Sequence, residues 1–280
     1  MLLARAAASA TFVVTVTALA EAAGPFWGGL IVSLPISAGP AYVMLGLDHT
    51  DAFIAESTIG SLAANAVTTV FILIIVKLAP RTPWPVTLGA AILAWLLAAS
   101  LVRQVAWTLW SASALNVVAF AVCLWLVRRT PASVAASGRV GPRRWFELPL
   151  RAVLVGGLVA TVVTASDWMG PTVTGMAAVF PIMLTGLGIL ALPRLGGLAG
   201  AALFAATLRA MPGFAIALLV LGLTAEPLGR WWGMASAIGA QLAFAAYRLL
   251  GRRSGTGASR RADQGSGHAA SASRTRSDCN

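Results

Sequence analysis

Residues 24–41, GPFWGGLIVSLPISAGPA, form an apolar run long enough to enter a bilayer, yet Pro35 sits in its middle and Gly39-Pro40 follows. The same punctuation returns 146 positions later. Gly170-Pro171 answers Gly24-Pro25, Pro181 answers Pro35, and Asp167 answers Glu21. A proline inside a bilayer helix deletes a backbone hydrogen bond, which is tolerated only where neighbours or water replace it. Two such breaks at corresponding positions of two halves point to a binding site built on interrupted helices.

Composition supports the membrane setting. Mean hydropathy is +0.83, and only 10% of the 280 residues are charged, against roughly a quarter in soluble domains. The fold class expected is an all-α, polytopic transmembrane bundle. The net charge of +11 lies in loops and the tail, which reads as topology signalling rather than nucleic-acid binding. Lysine occurs once, at Lys77, while alanine and arginine abound. This bias fits a GC-rich bacterial genome and hence the inner (plasma) membrane. Cys123 within a span and Cys279 near the end give neither a disulfide framework nor a metal site.

A span needs about 20 apolar residues. Nine are expected, near 2–23, 25–47, 52–78, 84–102, 105–127, 149–167, 170–192, 196–222 and 227–250. They divide the chain into a five-helix half (1–127), a basic loop (128–148), a four-helix half (149–250) and a disordered basic tail (251–280). Placing the central loop in the cytoplasm puts 16 of the 20 basic residues inside, leaving Arg5, Arg103 and Arg230 outside and Arg209 within a span. The N-terminus is then outside and the C-terminus cytoplasmic. Residues 1–20 also carry the marks of a cleavable signal peptide ending in Ala18-Leu19-Ala20. Cleavage there would export the arginine-rich loop, so residues 2–23 are read as a true span. The tryptophans fall near the two expected interfaces, except for a central Trp95.

Because the first half holds an odd number of spans, matched spans run in opposite directions. In this organisation, resting on the paired Pro35 and Pro181, the chain resembles inverted-repeat bacterial secondary transporters over about six of its nine spans. No characterised family is matched by its residues. The resemblance implies two halves that rock about a central site, admitting a small solute and a coupling ion. There is no nucleotide-binding loop, so an ion gradient is the expected drive. A non-transporting membrane partner or assembly protein is the alternative. An enzyme is not expected, since HExxH, GxSxG and zinc-spaced cysteines are all missing from the sequence. No cofactor is implied; the bilayer is the obligatory partner, and self-association into a homo-oligomer is compatible.

The candidate substrate-binding residues are Arg209, Asn65, Glu56, Pro35, Ser37 and Pro181. Charge inside a membrane is costly and usually functional. Arg209 counts to near the midplane and precedes a second break at Met211-Pro212-Gly213; it is read as an anion contact or an ion partner of Glu56. Ser57, Ser61, Asn65 and Thr68 form a polar stripe at helical spacing. Ser57 and Ser61 read as helix-to-helix glue and Asn65 as pathway. Ser33 and Ser37 flank Pro35, where they can satisfy freed carbonyls, and an unwound Pro35-Ile36-Ser37 would offer backbone ligands. The GxxxG pairs Gly24/Gly28, Gly196/Gly200 and Gly229/Gly233 signal close helix packing. In Asp48-His49-Thr50-Asp51, Thr50 or Asp51 is expected to cap the third span and the rest to be solvated, in preference to a metal site or pH sensor. Asn116 and Gln241 read as helix-to-helix bonds.

Overall fold

A computed structural model describes residue 11, residues 38–130 and residues 147–248, the side chains of 147–152 excepted. Pro35 and Ser37, with the first expected span and most of the second, lie outside the described residues. Those described form helices and no strand. In chain order these are α1 (Ala38–Asp48), α2 (Asp51–Leu78), α3 (Trp84–Val102), α4 (Leu109–Val127), α5 (Glu147–Ala178), α6 (Ile182–Ala210) and α7 (Pro212–Leu228), then α8 at 230–248.

Four stretches are long and apolar enough to cross a membrane: Asp51–Leu78, Trp84–Val102, Leu109–Val127 and Val153–Leu228. This is compatible with a membrane location. The last runs for 76 residues, several times the 20 or so that one crossing takes, and it is folded back on itself.

Glycine makes the folds. Gly170, Gly196 and Gly229 have φ of 71°, 74° and 80° and ψ of 170°, 171° and 150°, a region that side chains with a Cβ avoid. At each, one helix stops and the next starts at once in the reverse direction. Four residues on, the returning helix passes the residue four before the glycine. Thr174 Oγ1 donates to Ser166 O at 3.5 Å, a Cβ on Gly200 would sit 2.5 Å from Leu192, and one on Gly233 would sit 3.0 Å from Ala225 Cα. The pairs Gly196/Gly200 and Gly229/Gly233 thus serve hairpins: the first glycine turns the chain and the second lets the arms close.

α2 is the central helix and packs against α1 and each of α3 to α7. Thr50 caps it by accepting from Phe53 N–H, with Asp51 in its first turn and Lys77 in its last, as the helix dipole favours. Its crossing with α5 brings backbone against backbone. A Cβ on Gly60 would lie 1.9 Å from Thr172 O, and one on Gly175 would lie 1.8 Å from Ser57 O. Only small residues permit that approach.

The helix starts keep the sequence spacing. α2 begins at Asp51 and a helix resumes after Gly196 at Gly197; α3 begins at Trp84 and α8 at Arg230. Each pair is 146 positions apart. Asp51 at the start of α2 accepts from Arg230 N and Arg230 Nη1 at 3.1 and 3.0 Å, while Gly197 packs on Ala79 and Pro80 just past the end of α2. Met234 of α8 fills the space beside Gly46 of α1, and Leu88 of α3, 146 positions before Met234, fills that beside Gly188 of α6.

Candidate functional site

At 100° per residue, Ser57, Thr68, Ser61, Asn65, Thr58 and Thr69 fall within an arc of about 120° on α2. All six are buried, none more than 2% exposed. The arc meets three neighbours: Ser61 faces α5, Thr68 faces Trp95 of α3, and Asn65 and Thr69 face α4.

Opposite Ser61 lies the interruption that the sequence placed at Pro181. The helix stops at Ala178 and resumes at Ile182. Pro181 has no N–H for Ala177 O, and Phe180 N–H takes that oxygen at 3.1 Å. Val179 N–H turns to Met176 O at 3.3 Å, which leaves Gly175 O to be claimed by the Ser61 hydroxyl at 2.7 Å. Tyr42 OH lies 2.7 Å from Ser61 Oγ and extends the chain of bonds into α1. Ser61 is the helix-to-helix glue its spacing implied, and it also satisfies a carbonyl that the break sets free. Ser57 instead donates to Phe53 O of its own helix. Trp95 completes this wall: its ring meets Phe180 edge-on at 5.0 Å, and Nε1 donates to Thr68 Oγ1 at 3.0 Å.

On the α4 side, Asn65 Nδ2 donates to Asn116 Oδ1 at 2.8 Å, and Asn116 Nδ2 donates to Leu62 O and Ala112 O at 2.7 and 2.9 Å. Asn116 therefore bonds helix to helix, and it holds Asn65. Thr69 Oγ1 lies 3.4 Å from the Cys123 sulfur. Tyr42, Ser61, Thr68, Trp95, Asn65 and Asn116 make one neutral polar layer across the bundle.

The other two candidates among the described residues, Glu56 and Arg209, lie away from it. Glu56 is on the exposed side of α2, near the Asp51 end. Arg209 Nη2 donates to Val127 O and Thr130 O, both at 3.1 Å. It thus caps the carbonyl end of α4, where cations are favoured. Lys77 reaches the same end, donating to Leu126 O at 3.0 Å. Arg209 and Glu56 therefore work at opposite ends of the bundle and form no ion pair. The Met211–Pro212 break is a kink: Met211 keeps helical φ and ψ, its N–H is shared between Thr207 O and Leu208 O, and Arg248 donates to Arg209 O.

His49, expected to be solvated, is packed. Its ring stacks on Phe53 at 3.8 Å, Nε2 lies 2.8 Å from Ser166 Oγ and 3.9 Å from an Asp167 oxygen. With Asp51–Arg230 it ties the start of α2 to the Gly170 and Gly229 hairpins. Phe53, half-buried four residues on, is the apolar residue that draws the ring against the bundle.

No family model matches the chain, and neither a curated protein nor a solved structure matches it significantly.

Proposed function

We propose that this chain is a nine-helix inner-membrane protein of two inverted halves, acting as a secondary transporter or exporter of a small solute. The Asp51 end faces outside and the Leu78 end the cytoplasm. An ion gradient is the proposed drive. The observation that carries the reading is the interruption at Val179–Pro181 within a long apolar stretch, set against the buried polar arc of α2. Interrupted helices at mid-depth are how many secondary transporters present backbone and side-chain ligands. The matched helix starts support the inverted arrangement, and so does the antiparallel course of α2 and its counterpart Gly197–Leu228, the start of each beside the end of the other. The solute site is proposed at the polar layer. Arg209 is reassigned from solute contact to support of α4.

The second reading is a non-transporting membrane partner. It draws on how fully the arc is hydrogen-bonded within the bundle. Thiol access separates the two. A single cysteine at Asn65, in a Cys123→Ser, Cys279→Ser background, is treated with a membrane-impermeant maleimide in intact cells and in inside-out vesicles. A transporter opens the layer to water on at least one side and labels. Protection in both preparations sinks the transport reading and leaves the partner.

A further inference from the structure

One atom of the polar layer has no partner among the described residues. Asn116 directs its amide nitrogen at two carbonyl oxygens, Leu62 O and Ala112 O. Carbonyls only accept, so Asn116 cannot be turned over, and its oxygen must face Asn65. Asn65 must then present its nitrogen, and its own oxygen points elsewhere. That Oδ1 is fully buried and accepts no hydrogen bond among the described residues. Leaving a buried acceptor empty costs about 1–3 kcal/mol, so it calls for a donor.

Its position is central. Asn65 stands 14 residues from both Asp51 and Ala79, the two places where α2 meets the ends of its antiparallel counterpart. The midpoint of that counterpart, between Gly197 and Gly229, is Gly213, at the Met211–Pro212 kink. An axis exchanging two inverted halves passes near both midpoints, and a site there is equally far from each face.

We propose that Asn65 Oδ1 is the docking atom for a small uncharged solute that donates hydrogen bonds, of the amide or polyol kind. This rests on the transport reading. The described side chains around it are neutral, and Asp48, Asp51, Glu56, Asp167 and Glu226 are exposed or half-exposed near helix ends. A cation here would lose its hydration with no carboxylate among the described residues to compensate, and an anion would meet a carbonyl oxygen of the wrong polarity. A neutral donor meets neither cost and satisfies the oxygen.

The test uses the full chain in proteoliposomes under imposed inward proton and sodium gradients, with light scattering following entry of urea, acetamide and glycerol, and of methylammonium and acetate for comparison. Wild type is expected to admit at least one of the three uncharged solutes roughly tenfold faster than Asn65→Leu, the effect of losing one needed hydrogen bond. Asn65→Asp should lose that preference and gain methylammonium entry. Unfolding midpoints establish that the variants are folded, and Asn65→Ser replaces the leucine variant if it is not. Uncharged entry no faster than in protein-free vesicles, entry that survives in the folded Asn65 variants, or a wild-type preference for a charged solute each overturns the proposal; in the first case Oδ1 holds only a structural water. If the cysteine at Asn65 still labels, transport stands and the solute class falls. If it is protected from both sides, transport itself falls.

Discussion

α2 and its neighbours α3 and α4 are nearly equal in apolar character and opposite in placement. All three are apolar and long enough to cross a membrane, yet most of α2 is buried inside the bundle and most of α3 and α4 is not. The difference lies in the polar and small residues. α2 carries Ser57, Thr58, Gly60, Ser61, Asn65, Thr68 and Thr69 on surfaces where other helices supply partners or approach closely. α3 and α4 turn Leu93, Leu97, Leu101, Val117, Val118 and Val122 outward. Where lipid and protein interior are alike in polarity, hydrophobicity does not sort central helices from peripheral ones. Close packing and hydrogen bonding do.

Substitutions that add or remove those features should therefore strike α2 and spare its neighbours. The largest effect is expected at the α2–α5 crossing. Gly60→Ala or Gly175→Ala drives a methyl into a carbonyl oxygen of the facing helix and should cost about 3 kcal/mol or prevent folding. Gly89→Ala on α3, where an added Cβ touches nothing within 4 Å, should be neutral or stabilise by about 0.5 kcal/mol through helix propensity. Equilibrium unfolding in mixed micelles reads both, and equal losses would erase the contrast between the helices.

The hairpin glycines come next. Gly196→Ala has room for its methyl but must hold a positive φ, at a cost of about 2 kcal/mol. Gly239→Ala in α8, also with open space and without the unusual backbone, should leave the unfolding midpoint unchanged. A smaller loss, about 1 kcal/mol, is expected for Asn116→Ala, which strips Asn65 of its partner on α4. Val118→Ala, two residues on and exposed, should stay within about 0.5 kcal/mol of wild type. Should Val118→Ala cost as much as Asn116→Ala, the outward face of α4 is covered by protein.

Much of this was readable from sequence because proline and glycine act locally. Pro181 breaks its helix wherever it sits, and glycine marks the junctions at 170, 196 and 229. What GxxxG spacing could not convey was the partner. Close approach of two helices looks the same in sequence whether the second helix is distant or the next arm of a hairpin, and only the positive φ of the first glycine decides. Arg209 shows a different limit of the sequence. Counting residues gives the depth of a backbone, whereas a guanidinium on its long stem goes to the carbonyls it can satisfy, here those ending α4. The orientation of the Asn65 oxygen, away from Asn116, was beyond sequence altogether, since it follows from the two carbonyls that orient Asn116.

The opposed insertion of the two halves is the claim on which the rest depends, and Leu47 and Pro193 test it most directly. They are 146 positions apart, both exposed and both near helix junctions. Each is replaced by a lone cysteine and exposed to impermeant maleimide in intact cells. The account predicts that Leu47→Cys labels at once and Pro193→Cys only after the membrane is permeabilised. Labelling of both from the same side would contradict it.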